Sequence, residues 1–115
     1  MPYRQRELLL VPIPFSDLTS RKMRPVVVLS NDRYNREGPD VLVAGVTSNL
    51  AVREYTVALD TAQLEEGTMR HPSVVRVDKV FGIDQRIVRA CFGRVRGDTF
   101  ERILQELQAL VAQRG

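Results

Sequence analysis

Apolar residues fall along this chain in short runs separated by turn-forming residues, until the last stretch, where the spacing changes. Leu8 to Ile13 is an apolar run that contains Pro12 and is followed by Pro14, which predicts a strand at an edge or ending there. Phe15 to Ser20 is turn-rich. Pro25 to Leu29 is wholly apolar and dominated by β-branched valines, as in a buried central strand; Asn31-Asp32 and Arg36 to Asp40 then read as loops. Val41 to Thr47 predicts another strand, and Glu54 to Leu59 alternates as a half-buried one does. Residues 61–66 fit a helical turn before Gly67. Ser73 to Phe81 alternates over its first half, with Val75 and Val77 on one side and Arg76 and Asp78 on the other. Ile87 to Val95 reads as a last strand, bent at Gly93. Beyond it Phe100, Ile103, Leu104, Leu107, Leu110 and Val111 recur at helical spacing behind Asp98, with Glu101 three residues on. That predicts one amphipathic helix of about four turns, opened by a capping box. Roughly five to seven short strands and one C-terminal helix suggest a mainly β fold, a small, strongly curved barrel with a helix packed against it.

The length, 115 residues, suits one domain spanning 1–115, with a real core and no room for a second. No apolar run approaches the roughly 18 residues of a membrane span, and the N-terminus has no signal-peptide pattern, so a soluble, cytoplasmic protein is expected. A single Cys (Cys91) and a single His (His71) argue against an internal disulfide and a structural metal site, and no cofactor is expected. Any Ser-His-Asp or Cys-His mechanism would rest on His71 alone, and the scattered glycines form no phosphate loop. An ordinary hydrolase, a metalloenzyme and a nucleotide switch are thereby disfavoured.

Charge says more by position than in sum. Residues 21–36 set Arg21, Lys22, Arg24, Arg33 and Arg36 against Asp32 alone. Residues 70–96 set seven cations against Asp78 and Asp84, whereas 54–66 carry four carboxylates and no cation. All the basic residues but Lys22 and Lys79 are Arg, whose planar fork suits phosphate. A GC-rich genome also raises Arg content, but it does not cluster the cations; the clusters favour a nucleic-acid partner.

Three constellations carry candidate chemistry. Arg24 precedes Pro25, which holds it extended at the head of a strand, where a cation can meet a phosphate; taken alone it reads as an ordinary solvated arginine. Thr47-Ser48-Asn49 places three short polar groups where a buried strand ends, able to donate to a phosphoryl oxygen or simply to make a turn. Arg76 and Asp78 share a strand face, as a local ion pair or as a cation for phosphate beside an orienting carboxylate. His71, in a loop before Pro72, reads as a surface histidine.

In succession these pieces form a pattern. Val11-Pro12-Ile13-Pro14-Phe15 leads into the RPVVVLSND run at Arg24 to Asp32; Val46-Thr47-Ser48-Asn49 follows, then SVVRVDKVFGID at Ser73 to Asp84, and Phe92-Gly93-Arg94-Val95 before the helix. From about residue 7 to residue 111 the chain resembles the MazF/PemK/Kid toxins of type II toxin–antitoxin modules.

The resemblance implies an SH3-like barrel, usually homodimeric, cytoplasmic and neutralised by a cognate antitoxin protein, with DNA binding in that complex. It also implies a metal-independent endoribonuclease, an mRNA interferase that cuts single-stranded mRNA at short sequences. The ribose 2′-hydroxyl would be the nucleophile, leaving a 2′,3′-cyclic phosphate and a 5′-hydroxyl. On that likeness Arg24 and Thr47 match the catalytic arginine and Thr/Ser. Arg76 and Asp78 match a pair assigned to catalysis or RNA binding in the Kid-like branch, and Phe15, Ser16, Lys22, Ser48 and Asn49 fall where RNA is bound. Arg is a poor base because its guanidinium stays protonated, so Arg24 is cast as electrostatic stabiliser; Asp78, and less so His71, are left as bases. A gyrase-poisoning toxin on the same fold, or a non-catalytic SH3-like RNA-binding protein, are the alternatives. Two departures stand out. Many relatives begin the first strand with Gly-Asp where this chain has Arg6-Glu7, and the loop from Phe15 to Met23, which in relatives helps choose the RNA sequence, is short.

Overall fold

A computed structural model of the protein describes residues 2–12 and 22–115. The positions expected of Phe15 and Ser16 therefore lie outside the described residues. Among the described residues seven strands form one antiparallel sheet: β1 (Glu7–Pro12), β2 (Met23–Val28), β3 (Asp40–Thr47), β4 (Thr56–Leu59), β5 (Leu64–Gly67), β6 (Ser73–Asp84) and β7 (Ala90–Val95). Two helices, α1 (Asp32–Glu37) and α2 (Gly97–Val111), complete it. The order across the sheet is β4-β6-β3-β2-β1-β7-β5. Its two edge strands, β4 and β5, are consecutive in the chain, joined through the 3-10 turn Thr61–Gln63. The sheet must therefore curl until its edges come close, which makes a half-barrel. A capping box pins the join: the Asp60 carboxylate accepts from the Thr61 N–H, and the Gln63 side chain accepts from the Asp60 N–H.

Both faces of the sheet are buried, because alternate residues of the central strands are apolar in both registers. Leu8, Val27, Ala44, Val46, Val75 and Val77 point to one side, where Phe100 and Ile103 of α2 close the core. Leu9, Val11, Val26, Val28, Val41 and Val43 point to the other, covered by Tyr3, Phe81, Ile87 and Val88. Strand β6 serves both sides through a bulge. Arg76 pairs with Gly45 but Val80 with Ala44, leaving Val77, Asp78 and Lys79 without a β3 partner. The extra residues shift the phase, so Val75 and Val77 face the first core whereas Phe81 and Ile83 face the second.

The mainly β reading and the C-terminal helix hold, with local corrections. Asp32, Arg36 and Glu37, expected in loops, belong to α1, which is capped by Asn31 Oδ1 accepting from the Tyr34 N–H at 2.8 Å. A helix this short has no apolar period to reveal it. Of residues 61–66, expected as a helical turn, 61–63 form the 3-10 turn, whereas 64–66 join Gly67 in the strand that pairs with β7. That pairing is close: a Cβ on Gly93 would lie 2.7 Å from the Glu66 carbonyl oxygen, and Gly67 takes φ +87°. Strand β4 starts at Thr56 rather than Glu54 because Tyr55 turns to φ +59°. The expected capping box at Asp98 does not form: α2 starts at Gly97, and the Asp98 carboxylate bonds the Arg96 guanidinium and the Thr99 N–H.

Arg6 explains one departure noted above. It sits at φ +78°, a conformation that glycine adopts freely and that costs other residues about 1–2 kcal/mol. Here its side chain offsets the strain, donating to the Val95 carbonyl at 2.9 Å and reaching Glu65 at 3.4 Å. Arg6→Ala keeps the strain and loses the contacts, whereas Arg6→Gly loses both. Urea unfolding is expected to rank Arg6→Gly above Arg6→Ala in stability by about 1 kcal/mol, the reverse of the usual Ala-over-Gly order.

Candidate active site

The site arises where β2 and β3 part. The Leu10 carbonyl accepts from Arg89 on the β7 side, so in the Leu10–Pro25 pair the backbone of Pro25 faces β3. Proline has no N–H to give there, and the β2–β3 ladder ends at Val26–Gly45. Thr47 nonetheless continues in β3, paired with Val74 of β6, and Arg24 continues in β2, paired with Val11 of β1. Carrying the register two residues past the last pair sets Arg24 opposite Thr47 across the opening.

Two clefts meet at these residues. The larger, about 620 Å³, is lined among others by Arg24, Thr47, Ser48, Arg70, His71 and Phe92. The smaller, about 320 Å³, is lined by Arg24, Gly45, Val46, Thr47, Arg53, Arg76 and Lys79. Gly45 puts no side chain between Arg24 and Arg76. Among the described residues no carboxylate lines either cleft, so both are positive in potential. The Thr47 hydroxyl accepts the Asn49 N–H at 3.1 Å, which leaves its own proton to donate.

Asp78 sits beside this surface, held by Arg76 through Nε to Oδ1 at 2.8 Å and Nη2 to Oδ2 at 2.7 Å. The hydrogen bonds from Arg76 hold its carboxyl below the usual carboxylate range, and those to Asp78 raise the Arg76 guanidinium. A carboxylate so clamped is a weakened base. Of the expected positions, Arg24, Thr47, Ser48 and Arg76 line the clefts, whereas Asp78 and the exposed Lys22 and Asn49 do not. Asn49 serves its turn, accepting from the Ala51 N–H at 3.1 Å. Sequence reasoning missed Arg53, which lies outside both basic clusters and reaches the smaller cleft because edge strand β4 pairs Thr56 with Arg76. Phe92 was seen only as part of a motif. Among the described residues no three His, Cys, Asp or Glu side chains gather as a metal site needs, and no helix is long and apolar enough to cross a membrane.

Fold and site together define a small antiparallel half-barrel with a basic double cleft at a strand split. The chain belongs to the PemK-like, MazF-like toxins of type II toxin–antitoxin systems, whose family model matches residues 4–111. Compared with curated protein sequences it has no significant match. Among solved structures it resembles MazF from Deinococcus radiodurans, with TM-score 0.78 and 20% identity over 98% of this chain and 99% of that one. It is also similar to the Mycobacterium tuberculosis toxin MazF-mt6, with TM-score 0.74 and 20% identity over 90% and 94% of the two chains. A mycobacterial endoribonuclease in complex with its cognate antitoxin matches with TM-score 0.78 and 15% identity over 97% and 99%. At these identities the likeness is one of fold.

The Arg76–Asp78 pair gives a pH signature. Because the Asp78 pKa is lowered in the folded state, the pair stabilises the fold above the ordinary carboxylate range, and the contribution is lost as pH falls through the depressed value. The difference in melting temperature between wild type and Asp78→Asn should be largest near neutrality and close as pH drops below about 4. A constant difference across that range would remove the pair from the stability of the fold.

Proposed function

We propose that this toxin is a metal-independent endoribonuclease that cleaves single-stranded mRNA, with the substrate's own 2′-hydroxyl as nucleophile. The observation that carries the reading is the meeting of Arg24 and Thr47 at the strand split, between two clefts that no carboxylate among the described residues lines. A reaction of this kind needs in-line placement of the 2′-oxygen, phosphorus and 5′-oxygen, and stabilisation of charge on the phosphorane. Arg24 supplies a permanent cation and Thr47 a hydroxyl donor to the non-bridging oxygens. Arg53, Arg76 and Lys79 hold the phosphates on one side of the scissile bond. On the other side the larger cleft, with Phe92, Arg70 and Ser48, receives the neighbouring nucleotide, and the exposed Lys22 and Asn49, next in the chain to Met23 and Ser48 of its lining, meet the RNA beyond it. Products are a 2′,3′-cyclic phosphate and a 5′-hydroxyl.

Purified protein should cut a mixed-sequence RNA with EDTA present and leave those ends. Arg24→Ala should lower the rate by about 10²–10³-fold and Thr47→Ala by about tenfold or more, each with an unchanged melting temperature. Full activity in folded Arg24→Ala would sink the mechanism.

Two partners belong to the same reading. A second copy pairs with the chain about a two-fold axis, bringing two basic surfaces into one extended groove. A cognate antitoxin covers that groove with an acidic segment that orders on binding. Light scattering across a dilution series should report a dimer at micromolar concentration, and co-expression with an adjacent small acidic gene product should abolish toxicity; a strict monomer indifferent to such a neighbour would defeat both.

A further inference from the structure

The charge-stabilising groups of this site leave one task undone: something must take the 2′-hydroxyl proton. Among the described residues, Arg24 and Arg70 are the permanently charged groups lining the larger cleft, and the hydroxyls of Thr47, Ser48, Thr68 and Ser73 are far too weakly basic. Asp78 lies outside the cleft with both oxygens bound to Arg76. Among the described residues lining the cleft, His71 alone carries an imidazole, whose neutral ring nitrogen can take a proton.

The backbone holds His71 in place from both sides. Upstream, the Met69 N–H donates to Thr61 Oγ1 at 2.9 Å, and the Met69 side chain packs on the core with Phe92. Downstream, Ser73 is buried at the start of β6, and its hydroxyl donates to the His71 carbonyl at 3.1 Å. Pro72 restricts His71 to extended backbone. Only Arg70, His71 and Pro72 lie between these anchors, so the imidazole is carried on a short, tethered span over the cleft while remaining exposed to a substrate.

Resting on the endoribonuclease reading above, we propose that His71 is the general base of this site. A neutral ring nitrogen of His71 takes the proton from the 2′-hydroxyl as the O2′–P bond forms. The P–O5′ bond breaks, the 5′-oxygen takes a proton from solvent water, and His71 later returns its own to solvent. The structure thereby assigns the proton-accepting role to a residue outside the Arg76–Asp78 pair.

The test uses the whole chain and a short RNA containing a site first mapped with wild type. In single-turnover assays, His71→Ala and His71→Gln should cut about 100-fold more slowly or worse, while binding the same oligonucleotide with a 2′-deoxy nucleotide at the cut site to within about twofold of wild type. The acidic limb of the wild-type pH–rate profile should disappear in both variants, and added imidazole should partly restore His71→Ala. A substrate with sulfur at the 5′-bridging position needs no proton on its leaving group, so the variants should stay slow on it; recovery there would overturn the base assignment. A His71→Gln protein that cuts at the wild-type rate with an unchanged profile would overturn the role of His71 alone. Wild type that cuts no RNA would overturn the endoribonuclease reading and this role with it.

Discussion

A missing hydrogen-bond donor organises this molecule. Pro25 faces β3 without an N–H, so the ladder that ties β2 to β3 stops one pair short of it, at Val26–Gly45. Each strand remains fixed on its far side, β2 by β1 and β3 by β6. The two strand ends can therefore separate without fraying, and the gap becomes a cleft with rigid walls. The same ring holds Arg24 extended at the mouth of the gap. Sites on strands backed by a packed sheet are held more tightly than sites on loops, which suits a reaction governed by in-line geometry.

A second irregularity supplies the rest of the charge. Without the bulge at Val77 to Lys79, β6 would keep one phase throughout and could not serve both cores. The bulge shifts that phase and stands Asp78 and Lys79 outside the ladder, next to Arg76. Asp78 then keeps Arg76 in a defined orientation through two parallel hydrogen bonds. Core packing and cation placement thus depend on one insertion in one strand.

Much of this was legible from residue order. Valine runs marked the buried strands, and the change of period after Val95 marked the helix, because side-chain direction in a strand or helix repeats locally. Arg24 before Pro25, and Thr47 at the end of an apolar run, were visible for the same reason. The short elements were not: α1 and β5 are too brief to show a period, and Asp98 fits the spacing of a cap yet binds Arg96. The turn at Arg6 showed only as a departure from the Gly-Asp of relatives, since the sequence there offers arginine where the backbone takes a glycine conformation.

What the sequence by itself determined is the longer strands and the C-terminal helix, the family pattern and the chemical character of Arg24, Thr47 and Arg76. Only the tertiary structure decided which of these meet. Facing of Arg24 and Thr47 depends on the register of β2 against β3, and the approach of Arg53 to Arg76 depends on an edge strand joining β6. The presence of His71, rather than Asp78, in the cleft depends on two tethers, one of them reaching from Met69 back to Thr61. Periodicity is a property of neighbours along the chain, whereas register and enclosure arise between residues far apart in it, once burial of both sheet faces has fixed how the strands align.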